Sequence, residues 1–317
     1  MGIHIVSACA ILAIIPLYWL PVLPEPESVW MMIAAGNALA AQQRRWLTFS
    51  GIGLLFFCWG VLAAQESVWP LNHLTTEPQQ AEVVITATDG ATMHQGNIVS
   101  LNGKRWWGVT GVTLYGNYLP QKVCAGQRWA MALRLRAVHG ELNDGGYDSQ
   151  KNAFARHQTL SGRFTHAEAV DARCSLRSRY LGSLQNTLTA YQWGPVILGL
   201  GMGERLNVPR EIKNLMRETG TIHLMAISGL HIALAASIIW LLARGLQYFL
   251  PSHAIHWQFP MLAGLCFAAF YAWLTGMQPP AMRTVVSLSV VAALRISGRQ
   301  WSPWQICLAC VSAILIF

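Results

Sequence analysis

The residues best suited to chemistry lie in the apolar stretch from Thr219 to His231, TGTIHLMAISGLH. Ser228 and His231 are three residues apart, so on a helix they share a face and could act as a serine nucleophile with its base. No carboxylate nearby in the sequence would orient the histidine. Polar groups in apolar helices more often bond to neighbouring helices or line a water-filled path. We therefore favour a lining role for His223, Ser228 and His231 over an intramembrane serine hydrolase.

Arg283 is a further charged residue in an apolar segment, shortly after Pro279 and Pro280. An arginine in this position either extends to the membrane surface or faces an anion that moves past it. Pro280 leaves its turn without an N–H donor, and the adjoining loop is otherwise uncharged. These features favour contact with an anion.

Metal and nucleotide sites are not indicated by the sequence. The ten histidines are scattered, and neither an HExxH motif nor a Walker A loop is present. The CxxC spacing from Cys307 to Cys310 falls in an apolar segment, where packing is the simpler explanation. We expect no metal and no other cofactor, and ATP hydrolysis would have to come from a partner.

The composition indicates a polytopic membrane protein. Hydrophobic residues make up 53% of the 317 residues, charged residues make up 11%, and 14 residues are tryptophan. The formal net charge of +8 fits an excess of Lys and Arg in cytoplasmic loops better than it indicates a nucleic-acid partner.

Apolar runs locate the membrane segments at both ends of the chain. Residues 1–65 are predicted to hold N-terminal transmembrane helices, and residues 186–317 a second transmembrane domain. The first run lacks a preceding Lys or Arg and a small-residue cleavage site, so it does not resemble a signal peptide. The predicted spans are Ile3 to Leu23, Trp46 to Gln65, Leu224 to Ala243, Phe259 to Thr275, Ala281 to Leu294 and Trp304 to Phe317.

Residues 66–185 form a polar region with the alternation of strands. In Met131 to Arg136, the apolar residues and the arginines fall on opposite faces. Several short strands without long helices predict a small sandwich or partly open barrel, and an OB-like barrel fits the length. The other strand candidates are Val83 to Thr86, Trp107 to Leu114 and Leu160 to Phe164, with turns at Asp89-Gly90, Asn102-Gly103 and Asn143 to Gly146.

The positive charges predict the orientation in the membrane. Arg44 and Arg45 directly precede the span that begins at Trp46, which places its start in the cytoplasm and the polar region outside. The arginines in the loops after the predicted spans of residues 186–317 also lie on the cytoplasmic side if Tyr191 to Glu218 does not cross the membrane. We expect this segment to be re-entrant or interfacial, or to form a packing hairpin.

Cys124 and Cys174 are the two cysteines of the polar region. On the periplasmic or extracellular side they can form a disulfide. The other cysteines lie in apolar segments, where a free thiol behaves as a small hydrophobic group.

The polar region also mixes basic and aromatic residues, as single-strand binding requires. Some of these rings must instead belong to the barrel core or face the membrane. The candidates for DNA contact are Lys104, Arg105, Trp106, Trp107, Tyr115, Tyr118, Trp129, Arg134 and Arg136.

Three motifs resemble the ComEC family, the membrane channel proteins of bacterial DNA uptake. They are LGLGMGER from Leu198 to Arg205, the His223 to His231 segment, and YAWLTG from Tyr271 to Gly276, which leads to Arg283. The order of apolar helices followed by a polar domain with Gly145-Gly146-Tyr147-Asp148 resembles the family's N-terminal region and external OB-fold.

The resemblance implies an inner-membrane channel component that passes one DNA strand into the cytoplasm. By position, it places His223, Ser228, Gly229, His231 and Arg283 in the channel core. It implies single-stranded DNA, the lipid bilayer, other competence proteins with a cytoplasmic motor, and further copies of the chain as partners.

The chain departs from the family in two ways that bear on the structure and activity implied by the resemblance. Pro280 and Thr284 stand where the family usually has serine and alanine. The family also continues with more helices and commonly a metallo-β-lactamase-like nuclease domain, so we expect a fragment without enzyme activity. An envelope structural or assembly module remains a further alternative.

Overall fold

The computed structural model describes residues 3–75, 77–89, 92–106, 108–116, 123–140, 146, 148–205, 208–225, 228–249, 251 and 255–316. Two compact units are present. The barrel unit comprises Ala64–Pro195 and Leu206–Val208, and the helical unit comprises Met1–Ala63, Val196–Arg205 and Pro209–Phe317.

The described strands of the barrel unit close into a ring. They are β1 (Gln79–Thr88), β2 (Met93–Leu101), β3 (Lys104–Arg105), β4 (Gly111–Tyr115), β5 (Arg128–Ala137) and β6 (Leu160–Asp171). β1 pairs antiparallel with both β2 and β5, β2 pairs with β4, and β5 pairs with β6. A parallel pairing of β4 with β6 completes a five-stranded β-barrel, as predicted. This arrangement is compatible with an OB-like barrel.

Alternate residues of these strands fill the barrel with apolar side chains. Val83, Leu114 and Leu133 are fully buried there, and Trp129 also has an exposed fraction of 0%. The prediction that Trp129 contacts DNA is therefore wrong, because its ring lies inside the core. Burying a side chain of this size stabilises the barrel by roughly 2–3 kcal/mol.

Local residues explain where the strand predictions succeeded. The candidates in β1, β5 and β6 are confirmed, but β4 begins only at Gly111. Before it, Trp106 Nε1 donates to Thr110 Oγ1 at 2.9 Å, and Gly108 adopts a φ of +82°, which ends strand geometry.

Strand β2 was not predicted from the sequence, because its polar residues hide the alternation of apolar and polar positions. Trp107, Tyr118 and Gly90 lie outside the described residues, as do Asn143 to Gly145 of the turn predicted from Asn143 to Gly146.

Asn102 and Gly103 form the predicted turn, which lies between β2 and β3. Their φ values of 50° and 76° are both in the left-handed region that a two-residue hairpin requires. β3 pairs with β2 outside the closed ring. This hairpin presents Lys104 and Arg105 at its end.

Helices make up most of the rest of the described chain. They are α1 (Ile3–Ile14), α2 (Pro26–Ala40), α3 (Arg45–Val68), α4 (Ser149–Ala155), α5 (Leu176–Leu188), α6 (Gly194–Met202), α7 (Arg210–Glu218), α8 (Gly229–Leu246), α9 (Gln258–Leu274), α10 (Pro279–Ile296) and α11 (Pro303–Ile316). Four 3-10 segments adjoin them: Ile15–Trp19, Trp69–His73, Thr221–Met225 and Gln247–Phe249.

Within the described residues, three helices are long and apolar enough to cross a membrane: Arg45–Asn72, Gly229–Phe249 and Pro279–Ile296. Shorter apolar helices cover His4–Trp19, Gln258–Leu274 and Pro303–Ile316. The span predicted from Leu224 begins later, at Gly229, because a 3-10 turn and the extended Ser228 precede it. The run predicted from Ile3 leaves α-helical geometry at Ile15, next to Pro16.

Small residues let the helices of the helical unit approach closely. Ile232 and Ala236 of α8 pack with Ala268 and Ala272 of α9 and with Ala281 of α10. Small residues at helix contacts are typical of packing within membranes. This contact holds the N-terminal ends of α8 and α10 together.

Candidate functional site

Ser228 and His231 form a hydrogen-bonded pair at the start of α8. Ser228 Oγ lies 2.9 Å from His231 Nδ1, and the Ser228 N–H donates to the same nitrogen at 3.4 Å. Ser228 is the extended N-cap residue (φ −88°, ψ 158°), so it precedes the helix. The two side chains meet, as their spacing predicted, although Ser228 lies before the helix and not within it. The pair satisfies donors at the helix start, as a capping box does.

Among the described residues, no further group completes this pair as a serine hydrolase. A catalytic pair needs a third group that orients the base. Residues 219–317 contain no Asp or Glu. The contacts therefore favour a structural cap over a nucleophile.

Gly229 brings this cap against α10. A Cβ at Gly229 would collide with Thr284 Oγ1 and lie 3.5 Å from the Pro280 carbonyl oxygen. Thr284 Oγ1 donates to that same carbonyl at 3.1 Å, which fixes its rotamer. The exposed Arg283 is the neighbour of Thr284 on this first part of α10. Gly229, Ser228 and Arg283 thus lie on two helix starts that contact each other.

His223 lies in the 3-10 turn that precedes the cap. Its Nδ1 is 2.8 Å from the Gly220 carbonyl oxygen, and its side chain is exposed. Gly220 has a φ of 70°, so it reverses the chain after α7. Ala226 and Ile227, which link His223 to Ser228, lie outside the described residues.

Tyr271 connects the LGLGMGER motif to the YAWLTG motif. Its hydroxyl donates to the Gly201 carbonyl at 3.0 Å and joins α9 to the end of α6. After α9, Gly276 and Met277 have φ values of 85° and 52°, and the Met277 N–H donates to the Ala272 carbonyl at 2.8 Å. This turn positions α10. Sequence reasoning missed the contact because the two residues are 70 positions apart.

The candidate DNA contacts of the barrel unit separate into two concavities. Arg136 lines a groove of about 470 Å³, together with Tyr115 of β4 and with Arg156, which directly follows α4. We call this the Arg136 groove. Arg136 and Arg156 are exposed, and neither has an ion-pair partner in the described part of the chain. Arg156 was missed from sequence because no local pattern links it to β5.

The second concavity contains the other predicted residues. Lys104, Arg105 and Trp106 line it with Trp69 and Asn72, and its volume is about 700 Å³. We call it the Trp69 concavity. Arg134 lines neither of the two. It is exposed on β5 opposite Arg163 of β6, another cation.

Cys124 and Cys174 form a disulfide across a sequence separation of 50 residues, with their Cα atoms 5.6 Å apart. The Ser175 N–H donates to the Ala125 carbonyl at 2.8 Å next to it. Ser175 is also the N-cap of α5 and accepts from the Ser178 amide. The bond therefore joins the segment before β5 to the start of α5.

No group of three or more His, Cys, Asp or Glu side chains suited to a metal ion occurs among the described residues. The histidines of the helix starts bind serine or backbone oxygen.

Together these features define a class: a protein with a bundle of apolar helices and a small β-barrel that carries a basic groove. Residues 200–317 match the family described as Competence protein. The chain is 54% identical over 316 residues to Uncharacterized protein YcaI of Escherichia coli, covering 100% of this chain and 42% of that protein. It is 34% identical to Recombination protein 2 of Haemophilus influenzae over 56% of this chain and 22% of that protein.

A further relative is Competence protein ComA of Neisseria gonorrhoeae, with 28% identity over 80% of this chain and 38% of that protein. The chain is therefore similar to competence proteins of the ComEC family, and residues 200–317 carry the family match. It spans less than half the length of these curated relatives. No solved structure matches it significantly.

Proposed function

We propose that this chain is part of the machinery that takes single-stranded DNA across the bacterial cytoplasmic membrane during natural transformation. The proposal is carried by the presence, in one chain, of competence-family helices and a barrel with a basic and aromatic groove. Three helices of membrane-spanning length support the membrane location. The positive residues before α3 favour a barrel on the periplasmic or extracellular side.

The Arg136 groove is the proposed contact for the incoming strand. Single strands bind where cations neutralise phosphates and aromatic rings stack on bases. Tyr115 has 44% of its surface exposed, which leaves its ring available. Arg136 and Arg156 supply the charge, and the exposed Arg134 on the same strand as Arg136 adds to it.

The contacting starts of α8 and α10 are the proposed lining of the path. Ser228, Gly229 and His231 form one helix start, with His223 before it, and Arg283 lies on the other. From residue 219 onward, the chain has four arginines and no carboxylate. A polyanion passing this region would therefore meet no repelling side-chain charge from it. The partners we propose are other competence proteins, including a cytoplasmic motor, and further copies of the chain.

Binding of a fluorescent single-stranded oligonucleotide to the full chain in nanodiscs tests the groove. Tyr115→Ala should weaken binding by about 1–3 kcal/mol if a base stacks there. Arg136→Gln with Arg156→Gln should reduce the slope of log affinity against log salt by about 0.7 for each phosphate that is no longer neutralised. Lys104→Gln with Arg105→Gln is the matched control, with the same change in charge at the other concavity. If the variants of the Arg136 groove keep the parental affinity for the oligonucleotide and the parental dependence on salt, the proposed DNA contact is refuted.

Uptake in cells tests the path. Arg283→Gln and His231→Leu, introduced at the chromosomal gene, should lower the amount of labelled DNA that becomes protected from added nuclease. Arg299→Gln is the control, because it removes the same charge from the loop after α10. If the Arg283 and His231 variants take up DNA at the parental rate while protein levels match, the path is assigned to the wrong residues.

A further inference from the structure

The Trp69 concavity lies at the C-terminal end of the predicted membrane span from Trp46 to Gln65. Helix α3 (Arg45–Val68) is 24 residues long, or about 36 Å at 1.5 Å per residue, and the 3-10 segment Trp69–His73 continues from it. Its charge-free stretch from Trp46 to Gln65 is sufficient for the roughly 30 Å hydrocarbon core. Trp69 is four residues further on, about 6 Å beyond the core. That depth is the headgroup layer, where tryptophan is enriched in membrane proteins.

Two contacts within the barrel unit hold the β2–β3 hairpin against this helix end. The rings of Trp69 and Trp106 have centroids 4.5 Å apart, at an interplanar angle of 52°. A Cβ at Gly108 would collide with Glu66 Oε1. Trp106 directly follows β3, so Lys104 and Arg105 are held near the same depth as Trp69.

The side chains of this concavity suit a phospholipid headgroup. Lys104 and Arg105 are exposed, and among the described residues neither side chain has a hydrogen-bond or ion-pair partner. Trp106 has its Nε1 hydrogen engaged by Thr110, so its ring presents an apolar face. Asn72 and Asn102 add amide groups that can bond to ester or glycerol oxygens. Glu66 is the carboxylate on the α3 side.

We propose that the Trp69 concavity binds the headgroups of anionic phospholipids at the bilayer surface. Lys104 and Arg105 contact the phosphate, and Trp69 and Trp106 lie at the boundary with the acyl chains. This assignment moves Lys104, Arg105 and Trp106 from DNA contact to lipid contact. It rests on the membrane location in the proposed function and is independent of DNA binding in the Arg136 groove.

Hydrogen–deuterium exchange of the full chain in nanodiscs tests the site. The nanodiscs contain phosphatidylcholine alone or phosphatidylcholine mixed with phosphatidylglycerol. The amides of the β2–β3 hairpin should exchange roughly tenfold more slowly in the mixed bilayer, since each basic residue near an anionic surface is attracted to it. Lys104→Glu with Arg105→Glu should abolish that difference. Arg136→Glu with Arg156→Glu, the matched control, should retain it.

The outcomes separate the two proposals. Equal exchange in the two bilayers, or loss of the difference in both double variants, would overturn the lipid site. Protection of the same hairpin by a single-stranded oligonucleotide in phosphatidylcholine nanodiscs would assign it to DNA and also overturn the proposal. Lipid-dependent protection with no oligonucleotide binding at the Arg136 groove would leave this inference standing while the DNA contact fails. Unchanged exchange in β1 verifies that each variant is folded.

Discussion

Gly229 and Thr284 approach so closely that the first position of α8 has no room for a Cβ beside Thr284 Oγ1. Thr284 Oγ1 also donates to the Pro280 carbonyl at 3.1 Å, so a change of its rotamer would break that hydrogen bond. The contact between the two helix starts therefore depends on a glycine at this position.

Gly229→Ala should destabilise the helical unit by about 1–3 kcal/mol, because the added methyl group must separate α8 from α10 or force Thr284 out of its rotamer. Thermal unfolding of the purified chain in detergent measures the effect. Gly245→Ala in the same helix is the control, since nothing lies within 4 Å of a Cβ there. Thr284→Ala should restore most of the stability to the Gly229 variant, and additive destabilisation in the double variant would contradict the steric explanation.

Substitutions at Ser228 distinguish a helix cap from a nucleophile. Ser228→Ala should cost about 1 kcal/mol, whereas Ser228→Asn should be nearly neutral because asparagine caps equally well. If DNA uptake follows stability, the Asn variant retains uptake and the Ala variant loses part of it. Equal loss of uptake in both variants, with labelling of the parental serine by a fluorophosphonate probe, would instead show that the hydroxyl reacts.

His231→Gln and His231→Leu examine the other half of the same pair. A glutamine three residues after the cap can accept from the Ser228 amide, as in a capping box, so stability should be largely retained. Leucine cannot accept a hydrogen bond, so the Ser228 amide would lose its partner. The difference in melting temperature between the two variants is the measurement, and identical values would remove the capping role.

The disulfide should contribute substantially to the stability of the barrel unit. Closing a loop of 50 residues is worth about 4 kcal/mol by the chain-entropy estimate. Cys124→Ser with Cys174→Ser should lower the free energy of unfolding of the barrel by that order, and Cys307→Ser with Cys310→Ser should not. In the unfolded parental chain, a thiol reagent should label two more cysteines after reduction than before it, and an equal number would contradict the bond.

His94 should make the barrel sensitive to acid. Its side chain is fully buried beside Phe164, its Nδ1 is 2.8 Å from Thr88 Oγ1, and its Nε2 has no partner among the described residues. Burial lowers the pKa of His94 below 6.5, and the nearby Asp89 opposes this only in part. The unfolded chain therefore takes up the proton first as pH falls.

The barrel should hence be fully stable above about pH 6.5 and lose stability as pH falls from there toward the lower pKa of the folded state. Exchange of β2 amides, corrected for the intrinsic effect of pH, measures this loss of stability. His94→Gln should remove that part of the pH dependence. If the His94→Gln variant keeps the parental dependence of stability on pH, a group other than His94 takes up the proton.

Local patterns predicted the elements whose neighbours in sequence determine them. β1 and β5 alternate cleanly, and the left-handed turn at Asn102 and Gly103 requires only those two residues. β2 carries His94, Gln95 and Asn97, and its alternation becomes visible only when the core around it is known. Trp129 lies two residues before Met131, so the alternation of β5 already places its ring on the apolar face.

The groupings of functional residues depended on contacts between distant parts of the chain. Arg136 and Lys104 were both predicted to contact DNA, yet the folded barrel unit places them in different concavities. Ser228 was expected within a helix since the apolar run continues through it. The extended backbone at Ser228 places the boundary after it, and the hydrogen bonds to His231 explain why the helix starts there.

The parallel pairing of β4 with β6 has a consequence for synthesis of the chain. Val112 pairs with Leu160, so the ring cannot close until the ribosome has released the whole β5–β6 region. The β1–β2 hairpin can form early, because its strands are adjacent. Until closure, the edges of β1 and β4 remain unpaired and prone to wrong association. The slow step in producing this protein should therefore be the completion of the barrel, and a partner that protects those edges should raise its yield.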